Sequence, residues 1–410
     1  MRVLLNAYRG SPFCGGLGVY LFYLSRELAG LGVEVDVVVG PPYPDPLDEW
    51  ATVHKMENLN IWMVRTRSMP YETRKRLFSP WNFVDYLLTR FHVFPEMETF
   101  SMRSFFYLRD LLKKKRFDII HDVNTLGWGL LPMKGYGIPV VSTIHHPLNR
   151  DRSADLTMDT TFWGKLTTLL FYPLGMQRFV GKRLDRIITS SYEGVEELGR
   201  AFGIDRKKIS VVFNGMDVDL FRNTGEKREQ NALLFVGNTE DHKKGVHFLF
   251  EALSLLPEKV RLTVVDEKKQ NASGLVKKFG VEKRVEFTGK VDHRTLVSLY
   301  SRKTILVMSS LYEGFGLPAA EAMACKTPVV ATAAGALKEV VDADTGILVP
   351  PGDAAALADA IMRLLNDAGL RKKMGEKGRL RAENNFAWPV AAKNTLDVYR
   401  DVIAGFRSSQ

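Results

Sequence analysis

Only two of the 410 residues are cysteine, Cys14 and Cys325. That excludes a disulfide framework and a thiolate metal cluster, and it fits two reduced thiols in a cytosolic chain. Long apolar runs are missing too: none approaches the roughly eighteen residues that a membrane-spanning helix needs. The first apolar run, Val3 to Leu5, stops too soon for a secretory leader. The expected location is therefore cytoplasmic, or peripheral on the inner face of the plasma membrane. Acidic residues are the minority charge, 47 against 57 lysines and arginines, for a net charge of +10. What the chain does have is apolar content of 45%, enough for real cores, and a length that suits two domains.

Short apolar runs alternate with helical patterns. Strands are expected at Arg2–Leu5, Glu34–Val39, Asp118–His121, Val140–Ile144, Arg186–Ser190 and Lys208–Val212, and a new series opens at Ala232–Gly237. That alternation predicts an α/β protein with doubly wound parallel sheets. The first strand leads through a loop holding Gly15, Gly16 and Gly18 into a helix from about Val19 to Ala29. The second strand runs out into Gly40-Pro41-Pro42, and Asp36 lies mid-strand. A dinucleotide dehydrogenase wants an acid at that strand's end, so this class is disfavoured. The hinge is expected between Gly215 and Asn231, where polar residues replace the apolar pattern. Asp217 and Asp219 form a D-x-D, but the neighbouring Asn214-Gly215 turn favours a structural role, as a loop does for Asp342-Ala343-Asp344. No metal requirement is predicted. A last helix, Trp388 to Phe406, starts with Pro389 and buries a stripe of Ala392, Leu396, Tyr399, Ile403 and Phe406.

The most informative segment is Leu311 to Val330, LYEGFGLPAAEAMACKTPVV. It is flanked by the apolar runs Thr304–Met308 and Pro328–Ala331, so it reads as strand, glycine turn, helix, strand. Such a crossover places its turn at the carboxyl edge of a parallel sheet, where ligands bind. Glu313 precedes the Gly314-Phe315-Gly316 turn, and Glu321 follows one turn or so into the helix that Leu317 opens. A helix start suits a phosphate. Two carboxylates beside it suit a ligand that also offers hydroxyls, as sugars and ribose do.

This segment resembles the E-x7-E motif of the retaining, GT-B-fold glycosyltransferases of family 4. Similarity to that family runs along nearly the whole chain. It implies two Rossmann-like domains facing across a cleft: residues 1–215 for the acceptor and 216–385 for a nucleotide-sugar donor, with 386–410 crossing back to the first. Gly16 would lie against the donor diphosphate. Lys244, directly before Gly245 at a helix entry, matches the family's phosphate lysine, and a fixed cation there stabilises the departing diphosphate. Asn238 stands where the family usually has arginine, so Lys243 or Arg9 is expected to compensate, or diphosphate binding to weaken, or the activity to have drifted. His145 matches the first residue of an HD pair that reaches the donor sugar; His146 replaces the aspartate. His121-Asp122 is read as structural. Lys244, Glu313 and His145 are the catalytic candidates. Gly16, Asn238, Lys243, Val291, Gly314, Phe315, Gly316, Leu317 and Glu321 join Lys244 and Glu313 as donor-binding candidates, with the base near Gly289-Lys290-Val291. No residue stands out as a covalent nucleophile, so the resemblance implies front-face transfer with retention. The donor expected first is a UDP-sugar and next GDP-mannose, with no cofactor.

The acceptor is approached through charge. Arg74-Lys75-Arg76 and Lys113-Lys114-Lys115-Arg116 flank Trp81, Phe83, Tyr86, Phe91, Phe94, Phe105, Phe106 and Tyr107. A second such segment runs from Phe162-Trp163-Gly164-Lys165 through Phe171-Tyr172 to Lys182-Arg183. Basic residues beside exposed aromatics suit anionic lipid; the alternative is that the rings bury in the core. An anionic membrane surface and a lipid-linked or cell-envelope glycan acceptor are therefore expected. A sugar-nucleotide epimerase shares the architecture but not the paired glutamates. A nucleic-acid or glycan-binding module would explain the charge, but no recognised nucleic-acid motif accompanies it, and no nucleic-acid partner is expected.

Overall fold

The computed structural model describes residues 1–11, 16–44, 47–58, 79–90, 95–145, 148–158, 161–267 and 269–408. Its contacts divide the chain into two units: residues 1–190, 194–212 and 392–410 form the first, residues 191–193 and 213–391 the second. The last helix, Trp388–Ser408, begins in the second unit and continues in the first.

The first unit holds a seven-stranded sheet, every pairing parallel, in the order β3-β2-β1-β4-β5-β6-β7. These strands are β1 Arg2–Ala7, β2 Glu34–Val39, β3 Thr52–Lys55, β4 Ile119–Val123, β5 Val140–Ile144, β6 Arg186–Thr189 and β7 Ile209–Val211. The second unit repeats the plan with six parallel strands in the order β10-β9-β8-β11-β12-β13. They are β8 Ala232–Val236, β9 Arg261–Val265, β10 Val285–Phe287, β11 Ile305–Met308, β12 Val329–Thr332 and β13 Gly346–Val349. Strand order reverses between β1 and β4, and again between β8 and β11. At such a switch the adjoining loops leave in opposite directions and open a crevice at the carboxyl ends of the strands.

Why these strands sit centrally follows from their residues. β11 (ILVM) is buried at every position, as are β4 and β5, because crossover helices cover both faces of a parallel sheet. Side chains alternate faces with period two. Leu233, Phe235, Ile305 and Val307 join one core of the second unit, while Leu234, Leu306 and Met308 join the core on the opposite face. In the first unit Leu4, Ile120, Val140 and Ile187 pack with Phe100, Val180 and Phe202. Along the last helix Ala392, Leu396, Tyr399 and Ile403 are buried as expected from their spacing, whereas Phe406 is only half-buried.

The D-x-D segment does local work. The Asp217 carboxylate accepts from the backbone N–H of Asp219 at 3.1 Å and of Leu220 at 2.9 Å, closing the turn that buries Phe221. Asp342 likewise caps its loop, accepting from Asp344 N–H at 3.1 Å and pairing with Arg381 at 2.7 Å. Just before the first of these turns, Met216 N–H donates to the Phe386 carbonyl at 2.7 Å, and Trp388 N–H donates back to Met216 at 3.3 Å. That pairing presses the Trp388 indole onto Gly215, where an added Cβ would lie 2.2 Å from ring atom Cδ2. Gly215→Ala should therefore displace a buried indole and cost on the order of 2 kcal/mol, lowering Tm by several degrees. Gly274→Ala, whose Cβ meets nothing within 4 Å, is the matched control. Equal melting temperatures for the two variants would show that the indole yields freely.

Candidate active site

The second unit carries the larger set of candidates, all on loops that leave the carboxyl edge of its sheet. After β8 the chain turns through Asp241, whose side chain caps the one-turn 3-10 segment His242–Lys244 by accepting from Lys243 N–H at 3.0 Å. Gly245 then adopts φ +59° and lies so close to the next loop that a Cβ would sit 2.1 Å from the Ser309 carbonyl oxygen. Only glycine meets both demands. This close approach binds the β8 loop to the β11 loop: Ser309 Oγ donates to the Lys244 carbonyl at 2.9 Å, and Leu311 N–H donates to that of Lys243 at 2.7 Å. As a result Lys244 Nζ donates to Glu313 Oε2 at 2.7 Å, and Ser310 Oγ donates to the same oxygen at 3.3 Å. Both side chains are mostly buried, at 20% and 14% exposed, so the pair is poorly screened by solvent. A cation held this way is positioned before a ligand arrives, and its partner carboxylate stands ready to accept from hydroxyls.

Glu321 lies in the helix Leu317–Ala324, which Gly316 opens at φ +100°. Tyr300 donates its hydroxyl to Glu321 Oε2 at 2.7 Å. Burial pushes the Glu321 carboxyl up to about 7, and the tyrosine bond only partly offsets it. The side chain keeps partial exposure, and Oε1 is left for another donor. Phe315, expected among the donor-binding residues, turns its ring into the core, 6.1 Å from Phe213 and 5.5 Å from Phe386 between centroids. With 5% exposure it has only backbone to offer a ligand. Gly314 keeps partial exposure, its carbonyl accepting from Ser191 Oγ at 3.5 Å, and Leu317 is 36% exposed. Val291 is half-buried against the same core, just beyond Gly289, whose N–H donates to the Asp266 carbonyl at 3.1 Å.

Asn238 is where the structure adds a residue that the sequence reading missed. Its Oδ1 accepts from Lys269 Nζ at 2.7 Å, and the same ammonium lies 3.2 Å from Asp266. Asp266 in turn accepts from Thr239 N–H at 2.7 Å and Thr239 Oγ1 at 2.9 Å. So a lysine from the loop after β9 stands beside the asparagine. The signal for it in the sequence was the charged run Asp266 to Lys269 between strand and helix.

The first unit holds the remaining candidates. Gly16 is the exposed first residue of the helix Gly16–Gly30. His145 directly follows β5 and meets Tyr20 of that helix edge-on, with centroids 4.6 Å apart, so these elements share one end of the sheet. His146 lies outside the described residues. Beneath them, buried His121 bridges the Tyr399 hydroxyl at 2.5 Å and Thr143 Oγ1 at 2.7 Å. Burial, with a smaller push from His145, lowers its pKa to about 3 and keeps it neutral. Asp122 accepts from Thr125 and Leu126 N–H, both at 3.0 Å, and from Ser142 Oγ at 2.7 Å, which caps the loop after β4.

The basic-aromatic segments also lie in this unit. Arg74 to Arg76, Phe91 and Phe94 fall outside the described residues. Phe83 is 55% exposed; Phe105 instead stacks on Tyr136 at 5.4 Å. The helix Phe162–Phe171 has no buried residue, and Phe162 and Trp163 are 75% and 72% exposed. In this helix the rings face outward rather than into the core. Arg183 caps exposed Phe179 nearby, 3.5 Å above its centroid. Among the described residues no helix is long and apolar enough to cross a membrane.

The raised Glu321 pKa has a definite sign. An unfolded glutamate ionises near 4.5 and the folded one near 7, so the native state holds the extra proton between these values and loses stability as pH rises through them. Glu321→Gln, which keeps an acceptor for Tyr300, should match wild type near pH 4.5 and be the more stable at pH 8. The expected gap there is on the order of 2 kcal/mol in urea unfolding. A gap that does not change with pH would remove Glu321 as its source.

Comparison with known proteins agrees with the fold and with the family resemblance. Glycosyltransferase Family 4 matches residues 14–220, and Glycosyl transferases group 1 matches residues 218–381. The chain is 34% identical over 414 residues to an MMP alpha-(1->4)-mannosyltransferase of Mycolicibacterium hassiacum, covering 98% of this chain and 99% of the relative. It is 32% identical over 423 residues to a D-inositol 3-phosphate glycosyltransferase of Xylanimonas cellulosilytica, with 95% and 92% covered. The fold is that of the sucrose-phosphate synthase of Thermosynechococcus elongatus, at a TM-score of 0.70, 24% identity and coverage of 98% and 99%. With two parallel-sheet units of GT-B type and a relative matched end to end, this chain belongs to the family 4 glycosyltransferases and is a glycosyltransferase that uses a nucleotide-sugar donor.

Proposed function

We propose that the protein is a retaining hexosyltransferase that moves a sugar from a nucleotide diphosphate onto a hydroxyl of a lipid-linked or cell-envelope glycan. The observation that carries this reading is the Lys244–Glu313 pair, held 2.7 Å apart at the switch point of the six-stranded sheet. In a front-face transfer the bond from the anomeric carbon to the diphosphate oxygen breaks while the acceptor oxygen bonds to the same face. The departing oxygen takes the acceptor's proton. Charge builds on the diphosphate, and a preorganised cation in a poorly solvated site stabilises it. Lys244 supplies that cation, and Lys269, beside Asn238, supplies a second within reach of the same edge. Glu313 accepts from the sugar's hydroxyls, and Glu321 accepts from ribose through Oε1 while Tyr300 steadies Oε2. In the first unit, family resemblance makes His145 and Gly16, at one end of its sheet, further candidates for contact with the substrate.

The mannosyltransferase relative supports a mannosyl group as the sugar, and hence GDP-mannose, with a UDP-sugar as the second donor to test. A thermal-shift screen of UDP, GDP and ADP with their sugars should give a clear rise with one base. Lys244→Ala and Glu321→Ala should abolish it, and Lys269→Ala should weaken donor affinity about tenfold, the loss of one charged hydrogen bond. No shift with any nucleotide, or one unchanged in all three variants, would sink this assignment.

The outward face of the helix Phe162–Phe171 supports peripheral attachment to an anionic membrane. Residues 160–184 contain Lys165, Arg178, Lys182 and Arg183 and no acid. Aromatic rings beside a purely basic stretch partition into the headgroup region. Vesicles containing anionic lipid should pull down the protein at low salt, and a Phe162→Ala, Trp163→Ala double variant should remain in solution while still melting normally. Equal sedimentation of both proteins would dismiss this helix as the anchor.

A further inference from the structure

The opposite edge of the second unit's sheet holds a cavity that the transfer chemistry leaves unused. It has a volume of about 370 Å³ and opens beside Thr304 and Pro328, the residues immediately before β11 and β12. Lys244 and Glu313 lie on loops that leave the other ends of β8 and β11, so this cavity is separate from them. Its lining is dominated by one sign of charge: Arg228, Lys326, Arg371 and Lys372 against a single carboxylate, Glu376. A space of this size is within the usual range for small ligands.

None of the four cations has a carboxylate within 4 Å among the described residues. Arg228 donates to Thr327 Oγ1 at 2.9 Å and to the carbonyls of Lys303, Cys325 and Lys326 at 2.6, 3.3 and 2.7 Å. Arg371 donates to the carbonyls of Leu364 and Leu365. These bonds engage both terminal nitrogens of Arg228 and one nitrogen of Arg371 without neutralising either. Burial, joined by the like charge of Arg371, holds the Arg228 guanidinium below its ordinary range, so the two groups already repel. Lys326 lies at φ +59° because it closes the helix Leu317–Ala324: its N–H donates to the Met323 carbonyl at 2.9 Å and that of Thr327 to the Ala322 carbonyl at 2.8 Å, which sets the side chain beside the cavity. Lys326 and Lys372 are both exposed at the mouth, where their ammonium groups can swing onto a guest. Two half-buried guanidiniums and two exposed ammoniums around one cavity form a receptor for a compact dianion.

We propose that this cavity binds the phosphate group of a small phosphate monoester, of hexose phosphate size, at a regulatory or accessory site distinct from the donor crevice. Arg371 donates to the phosphate oxygens through Nη2 and Nε, which its two carbonyl bonds leave uncommitted, while Arg228, its four terminal N–H groups already engaged, contributes charge. Lys326 and Lys372 close over them, and Asn223 and Glu376 face the uncharged part of the guest. Nothing in this assignment depends on which nucleotide sugar the donor edge accepts.

Calorimetric titration of the full chain tests it, with the donor crevice first saturated by the nucleotide that gives a thermal shift, or without nucleotide if none does. Inorganic phosphate and glucose 6-phosphate are the two probes. Saturable binding of either supports the site; tighter binding of the hexose ester identifies an organic phosphate as its ligand, and tighter binding of inorganic phosphate identifies the free ion. A Lys326→Gln, Lys372→Gln double variant changes only exposed side chains and should weaken binding about tenfold or more. Glu376→Gln, which removes the one opposing charge, should tighten it. No saturable binding of either probe up to about 10 mM at low ionic strength, the weak end of small-ligand affinity, would overturn the proposal. So would affinities that neither variant changes.

Discussion

Two strands that run side by side but lead their chains away in opposite directions create the working edge of the second unit. β8 and β11 are neighbours in the sheet, and the connections that leave them diverge. That divergence would leave an open notch if the loops did not also touch. Gly245 lets them, because its missing side chain allows the β8 loop to reach within van der Waals range of the Ser309 carbonyl. The Lys244–Glu313 pair, the Ser309 bond to the Lys244 carbonyl and the Leu311 bond to Lys243 all depend on that approach. A single side chain at residue 245 would force the loops apart and leave the lysine to solvent.

Charge is managed differently at the two edges of the same sheet. At the carboxyl edge cations are paired: Lys244 with Glu313, and Lys269 with Asp266 and Asn238. A paired cation costs less to hold in a dry crevice, and its carboxylate partner is itself a recognition group for hydroxyls. At the opposite edge Arg228 and Arg371 are held by neutral carbonyls. Their charge stays uncompensated, which favours an anionic guest over a polyhydroxylated one. Pairing thus separates a site whose carboxylates can read hydroxyls from one whose recognition rests on the phosphate group.

The first unit divides its polar groups between support and exposure. His121, Asp122, Thr143 and Tyr399 make a buried set in which the histidine stays neutral and the bonds run to neighbouring strands, a loop and the last helix. That set anchors the last helix to β4. Above it, half-buried His145 meets the buried ring of Tyr20 edge-on at the strand ends. Away from them, the helix Phe162–Phe171 presents two aromatic rings with no buried residue of its own. A helix cannot gain tertiary stability from a face that buries nothing, so its apolar residues gain most from a surface outside the chain.

Local patterning determined a great deal by itself. Apolar runs marked nine of the thirteen strands to within two residues, leaving β3, β9, β10 and β13 unread, and the alternation of strand and helix set the doubly wound class. The residues of E-x7-E and the Lys244-Gly245 pair were legible because turn chemistry acts over a few neighbours. The choice of partners was not legible, because it depends on strand order rather than spacing. Lys244 and Glu313 are 69 positions apart, Asn238 and Lys269 are 31 apart, and Tyr300 and Glu321 are 21 apart. Only the folded sheet turned Phe315 inward, placed Trp388 on Gly215 and set four cations around one cavity. Each follows from elements distant in sequence packing at a fixed register, which no reading along the chain contains.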